Sequence, residues 1–336
     1  MYTMITLFLL AFVLSFFSNL LIVFFASKHN YFIDHSHTDK PQNFHTDSTP
    51  RAGGLGIFMG AILLLLSSLG FKLILSILFA FASGIFEDFH NSLSARFRLL
   101  LQVIAAAVAI GLIHAVVTYL GLGITLPYTV GVLFSIFAIV GMMNAINIID
   151  GFNGLASGVV LLILSSFAIV AYTHNNTDVL MIISIVSGAT SGFFVLNFPK
   201  GKVFLGDGGA YMLGFIVAVL GIFLAGKYED VSPWYILAIF IYPVWEVLFS
   251  IVRKLSMGRS PLSPDGDHMH MLVYRQVTRN NPMTALVINL YFLIFIAIST
   301  YYSGSSIANI AVISVFILTY LALYRYLYHK NHRKII

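Results

Sequence analysis

Between Asn144 and Gly158 the chain reads Asn-Ala-Ile-Asn-Ile-Ile-Asp-Gly-Phe-Asn-Gly-Leu-Ala-Ser-Gly, one carboxylate and three amides set between two long apolar runs. Backbone that leaves a helix near a bilayer must find partners in protein, water or ligand, so a glycine-broken turn carrying Asp150 and Asn153 suggests a cavity. The plainer alternative is that both residues only shape the turn and cap the next helix. If the first run stays helical for one more turn, Asn147 and Asp150 are i, i+3 neighbours and can offer oxygens to one ligand.

Three other segments group polar residues. Phe86-Glu87-Asp88-Phe89-His90, followed by Arg96 and Arg98, ends an apolar run with adjacent carboxylates. Two such acids repel each other, so a cation or a shared proton is expected beside them, against the alternative of a solvated helix end. Phe204-Leu205-Gly206-Asp207-Gly208-Gly209-Ala210 opens a run with Asp207. A cap has this form, but its glycines also permit close approach of a phosphate or cation to the backbone. Ser263 to Arg275 holds His268-Met269-His270, a pair open to metal, phosphate or a solvated loop. There is no cysteine, so thiolate metal sites and disulfides are excluded. Carboxylates and amides suit a hard cation, and magnesium with substrate phosphates fits better than structural zinc, with Mn2+ as the substitute.

The elements that position these groups must be membrane helices. Of 336 residues, 59% are hydrophobic and 9% charged, and the mean hydropathy is +0.93; soluble domains carry about 25% charged residues. The expected fold is all-α, a single polytopic integral membrane domain over 1–336 with about 10–11 transmembrane helices. Eleven spans are expected: 3–26, 54–71, 73–86, 98–117, 128–146, 155–172, 179–197, 210–225, 233–252, 284–303 and 306–326, the second and third joined by a tight turn at Lys72. The run 3–26 lacks a basic start and a small-residue cleavage site, so it is expected to remain as the first span.

With these spans, every Lys and Arg except Lys72 and Lys227 falls on one side, which the positive-inside rule makes cytoplasmic. The N-terminus is then outside and the C-terminus cytoplasmic. Nine of the thirteen acids lie on that same side, as do the long loops 27–53 and 253–283, so the working face is expected there. Basic residues scattered through short loops orient the chain and give no nucleic-acid surface. Glu246 stands inside a span, a functional candidate by default, expected to pair with Arg253, to line a groove, or to snorkel to the interface.

Taken in order, Pro50-Arg51-Ala52-Gly53-Gly54, the acidic pair, the Asn144 motif, Phe-Leu-Gly-Asp-Gly-Gly and His-Met-His resemble the polyprenyl-phosphate N-acetylhexosamine-1-phosphate transferases. These are the bacterial glycosyltransferase family 4 enzymes related to phospho-MurNAc-pentapeptide transferase. The likeness spans nearly the whole chain. Glu87 and Asn153 stand where the family usually has Asp, and the family's histidine cluster is often fuller.

The resemblance implies transfer of a sugar-1-phosphate from a UDP-N-acetyl sugar to undecaprenyl phosphate with release of UMP. It implies a magnesium-dependent site on the cytoplasmic face of a bacterial inner membrane, and room for a homodimer. On that basis Asp207 and Asp150 are expected at the metal, with Asn147 assisting. Asp88 is expected to deprotonate or orient the lipid phosphate, with Glu87 beside it. His268, His270, Arg98 and Arg51 are expected on phosphate or nucleotide, with Asn144 and Asn153 on substrate. An aspartyl phospho-enzyme is the competing mechanism. The sugar, and the choice among O-antigen, capsule and other cell-surface glycans, stay open. The rival from another class is a carrier for an anionic lipid or sugar, which should place ionisable groups near mid-bilayer and show related halves with broken helices.

Overall fold

The computed structural model describes residues 2–29, 49–90, 93–260, 263 and 266–332. Most of the expected 27–53 loop and Asp265 of the 253–283 loop lie outside the described residues.

Among the described residues, nine helices are long and apolar enough to cross a bilayer. They are α1 (Tyr2–His29), α3 (Ser68–His90), α4 (Ala95–Ile113), α5 (Tyr128–Ile149), α6 (Leu155–Thr173), α7 (Thr177–Asn197), α8 (Gly206–Lys227), α12 (Asn281–Tyr301) and α13 (Ser306–His332). The all-α polytopic fold is as expected. Helix α2 (Gly53–Ala61) runs on as a 3-10 turn through Leu66 and is shorter than the others. Helices α9 (Pro233–Ile239) and α10 (Ile241–Ser256), bent by 74° to each other, are together long and apolar enough for one broken span, and α11 (Met269–Val273) runs on as a π-helical turn through Thr278.

Three boundaries differ from the sequence reading. The turn expected at Lys72 lies at Ser67, whose extended backbone ends the 3-10 segment and whose hydroxyl accepts from Gly70 N at 2.9 Å, capping α3. Lys72 is inside α3. The expected single span 233–252 breaks at Phe240 because Pro243 has no N–H to give the carbonyl of Ile239 and its ring crowds that position. Span 98–117 stops early, where His114 adopts a left-handed cap at φ 58°.

Helix α8 is the central element: nearly every residue from Gly206 to Leu224 is buried. A helix that is apolar all round belongs inside a bundle, and α3, α5 and α6 surround it with close backbone approaches. A Cβ on Gly214 would sit 2.7 Å from the Met143 Cα. By contrast α1 and α13 expose Phe17, Leu21, Phe24, Val315 and Leu318, a surface suited to lipid.

The bundle has two unlike ends. At one, β1 (Tyr119–Gly121) pairs antiparallel with β2 (Ile124–Thr125), and Ser232 N donates to the Ser303 carbonyl at 2.9 Å. The other collects the starts of α2, α4, α6 and α8 and the ends of α3, α5, α7 and α13.

Candidate active site

The site forms where glycines let three backbones meet. Phe204 N donates to Pro50 O, Gly53 N to Phe204 O and Gly54 N to Leu205 O, each at 2.9 Å, so the segment before α2 is laced to the segment before α8. A Cβ on Gly84 of α3 would lie 2.3 Å from the Asp207 carbonyl carbon and from Gly208 N, so no larger residue allows α3 to touch the first turn of α8. One turn further along α3, Asp88 reaches that helix end: its Oδ1 accepts from Asp207 N and its Oδ2 from Gly208 N, both at 2.9 Å. Asp88 therefore caps α8 from another helix. The amides that the sequence offered to a phosphate are already taken by a carboxylate, and the glycines serve helix packing.

The cap turns the Asp207 side chain into a cluster of cations and amides. Arg98 Nη1 lies 3.1 Å from its Oδ2 and 3.7 Å from Glu87 Oε1, bridging α3 to α8. Arg51 Nη2 lies 3.5 Å from its Oδ1, to which Asn147 Nδ2 donates at 3.0 Å. Asp207, Arg51, Arg98, Asn147, Glu87 and Asp88 thus stand together, as their sequence segments suggested. Glu87 Oε2 is buried without a hydrogen-bond partner.

Asp150 ends α5, its N–H donating to the Asn147 carbonyl at 3.2 Å, so the two residues do share the last helical turn. Burial raises its carboxyl to about 7, with Arg51 opposing the rise and Asp207 adding to it. The turn that follows is pinned by asparagines from two other helices. Asn197 Oδ1 accepts from Gly154 N at 2.6 Å, Asn281 Oδ1 from Asn153 N at 2.8 Å, and Asn289 Nδ2 donates to the Gly154 carbonyl at 3.0 Å.

The histidine segment meets the same turn from the other side. His268 and His270 stack with ring centroids 5.3 Å apart and planes 2° apart. His270 packs edge-on against Phe152 at 5.8 Å, and a Cβ on Gly151 would come 3.5 Å from its Nε2. Asn144 and Asn153 are engaged by the scaffold. Asn144 donates to Gln102 Oε1 at 2.8 Å, and Asn153 Nδ2 donates to the Pro199 carbonyl at 3.1 Å.

Sequence reasoning missed Gln102, Asn197 and Asn289, isolated amides in or at the end of apolar runs, the usual signature of polar pins between membrane helices, and Asn281, which follows Asn280 at the start of α12. It also missed the partner of Glu246. That carboxylate accepts from His268 Nδ1 at 3.1 Å and Met269 N at 3.2 Å. Arg253 donates to the Asp267 carbonyl and the Tyr324 hydroxyl.

Among the described residues no three His, Cys, Asp or Glu side chains already converge as a metal cage. The donors nevertheless fit a hard divalent cation: all are oxygens, and a buried Glu87 oxygen lacks a partner. Magnesium is commonly held by one or two carboxylates, with water and phosphate oxygens filling its shell.

Comparison with known proteins matches the sequence to a family. The profile described as glycosyl transferase family 4 matches residues 70–225, which contain α3 to α8 and most of the site. The chain is 30% identical over 295 residues to the probable undecaprenyl-phosphate N-acetylglucosaminyl 1-phosphate transferase of Bacillus subtilis, covering 83% of this chain and 81% of that protein. It is 28% identical over 331 residues to the decaprenyl-phosphate N-acetylglucosaminephosphotransferase of Mycolicibacterium smegmatis, 85% of this chain and 81% of the relative. A shorter match, 34% over 148 residues, links it to the phospho-N-acetylmuramoyl-pentapeptide-transferase of Lactococcus lactis, 43% of this chain and 45% of that one. With the match to the Bacillus protein running the length of the bundle, the chain belongs to glycosyl transferase family 4.

Proposed function

We infer that the protein transfers an N-acetylhexosamine-1-phosphate from a UDP-sugar to undecaprenyl phosphate, releasing UMP, at the cytoplasmic face of a bacterial inner membrane. The observation that carries this reading is the gathering of Arg51, Arg98 and Asn147 around the Asp207 carboxylate, at one end of a membrane bundle. A soluble anion and a lipid-borne anion can both reach such a place. Family membership favours a transferase over a carrier, and the names of the relatives make UDP-N-acetylglucosamine the first donor to test.

An oxygen of the lipid phosphate attacks the phosphorus bonded to the sugar, and the bond from that phosphorus to the bridging oxygen breaks. UMP leaves with the bridging oxygen, and the sugar stays on a lipid-linked pyrophosphate. Arg98 and Arg51 offset the repulsion between the two anions and hold them in line. Glu87, with Oε2 unpartnered, accepts a proton from the lipid phosphate, and Asp88 orients the first turn of α8 instead of acting as the base or nucleophile. Asp207 and Asp150 would hold magnesium, with Asn147 beside them; when bound, the ion neutralises phosphate charge as it develops.

The test is UMP release by purified protein given undecaprenyl phosphate and a panel of UDP-N-acetyl sugars, with magnesium or EDTA, beside Asp207→Asn. Magnesium-dependent release with one donor, lost in the variant, supports the reading. No release with any donor from folded protein refutes it.

A further inference from the structure

Glu246 is a buried acid that the transfer chemistry above does not use. It is 1% exposed, in the half-helix α10 beyond the bend at Phe240, among aromatic rings of α10 and α13. A buried carboxylate persists only where its oxygens are engaged, and here both are. Oε2 accepts from His268 Nδ1, and Oε1 accepts from the first amide of α11. Tyr242 and Tyr320 face the same carboxylate, and His270 lies parallel to His268. This side chain therefore ties His268 and Met269 to the membrane bundle, next to the contact of Arg253 with the Asp267 carbonyl.

We propose that Glu246 is a positioning residue of the active site, holding Nδ1 of His268 as the donor nitrogen so that Nε2 is left as the acceptor for a hydroxyl of the sugar nucleotide. The inference rests on the transferase reading. Its physical core is general: a carboxylate on one imidazole nitrogen fixes the ring's tautomer and orientation, and decides what the other nitrogen does. Loss of such an outer partner at metal-ligating histidines costs about 10- to 100-fold. The same carboxylate holds the first amide of α11, so it touches both the ring and the start of the helix that follows it.

The test combines kinetics with an observable that needs no turnover. Glu246→Gln keeps the shape and removes the charge, and Glu246→Asp keeps the charge with a shorter reach. The expected result for E246Q is a rise in the donor KM of about tenfold, with kcat within threefold of the parent and partial recovery in E246D. In a His268→Ala background E246Q should have no further effect on KM, since Glu246 acts through that ring. Nitrogen-15 spectra of the histidines, assigned with the His268 variant, should show His268 protonated at Nδ1 in the parent and redistributed in E246Q. Unchanged donor KM and unchanged His268 signals in E246Q would overturn the proposal. So would equal KM losses from E246Q with and without His268. A parent that releases no UMP defeats the transferase reading instead, and the nitrogen-15 comparison still decides whether Glu246 sets the state of His268.

Discussion

Replacing Gly206 with alanine separates two things that the first turn of α8 requires. Gly206 has φ +75°, and a Cβ there would lie 2.6 Å from Asp88 Oδ2 and 2.8 Å from the Arg51 carbonyl oxygen. The left-handed backbone costs an alanine about 1–2 kcal/mol. The clash adds about 1–3 kcal/mol, as for overpacked cores. The Arg51 carbonyl cannot retreat, because Pro50, Gly53 and Gly54 on either side are laced to Phe204 and Leu205. Asp88 must move instead, releasing the amides of Asp207 and Gly208 and with them the orientation of Asp207. Gly123→Ala supplies the reference: φ there is +80° with nothing within 4 Å of the added carbon, at the far end of the bundle. Both variants should unfold at lower temperature in detergent, Gly206→Ala by roughly twice the free energy or more, and only Gly206→Ala should lose UMP release. Equal stability losses, or full activity in Gly206→Ala, would refute the argument that Asp88 caps α8 and thereby sets Asp207.

Glu87→Gln should leave thermal stability near that of the parent and cut kcat by about 10²–10⁴, the worth of a general base. Asp88→Asn should instead lower stability by about 1–3 kcal/mol, because one backbone N–H then faces an amide NH2; thermal midpoints beside kcat distinguish the two roles. Asp150, raised to about 7 by burial, against the pull of Arg51 and with the push of Asp207, binds a proton in the fold that it has lost in the unfolded chain between pH 3.8 and about 7. Its ionisation therefore costs stability as pH rises through that window. A cation there displaces the proton, so magnesium affinity measured by calorimetry should increase up to tenfold per pH unit below about 7 and level off above it. At the opposite end, desolvation pulls the His174 imidazole down, but the Val170 carbonyl and Asp230 outweigh it and raise its pKa. Its ring nitrogen lies 2.9 Å from Asp230, whose own pKa the hydrogen bond from His174 lowers. The raised His contributes stability below its unfolded value that is lost as pH rises through the folded one; the lowered Asp contributes above its unfolded value and loses it on acidification. The pair should add less than about 1 kcal/mol, seen as a thermal midpoint that falls more steeply with rising pH in the parent than in Asp230→Asn.

The sequence carried the site further than the helix boundaries. Asn147, Asp150, Asp207, Arg51 and Arg98 stand out as polar groups at the ends of apolar runs, because a bilayer leaves so few reasons for polar side chains to sit there. The break at Ser67 was readable as a capping hydroxyl before a fresh apolar run, and the bend at Phe240 as Pro243 three residues on; both were hidden by hydropathy, which registers length and not hydrogen bonding. The contact of Asp88 with α8 was not legible. Adjacent carboxylates read as one acidic pair, whereas neighbouring helix positions point about 100° apart, so Asp88 reaches the first turn of α8 and Glu87 faces Arg98. Asn153 and Asn144 look like ligands for the same reason that they make good pins: an amide can engage either a substrate or a carbonyl. Glu246 and His268 lie 22 residues apart on different elements, and no spacing rule joins them.

The central burial of α8 also bears on how the protein is made. Its main neighbours α2, α3, α5 and α6 precede it in the chain, with α9 packing on it afterwards, so during synthesis α8 enters a cradle that is largely present. Asp207 finds Asp88, Arg98 and Asn147 waiting, while α10, α11 and the histidines are still to be translated. Assembly thus falls into two stages, an early centre around Asp207 and a later loop that brings His270 against Phe152. A ribosome stalled well past Lys227 should present a bundle in which α8 resists proteolysis before any residue of the histidine loop exists.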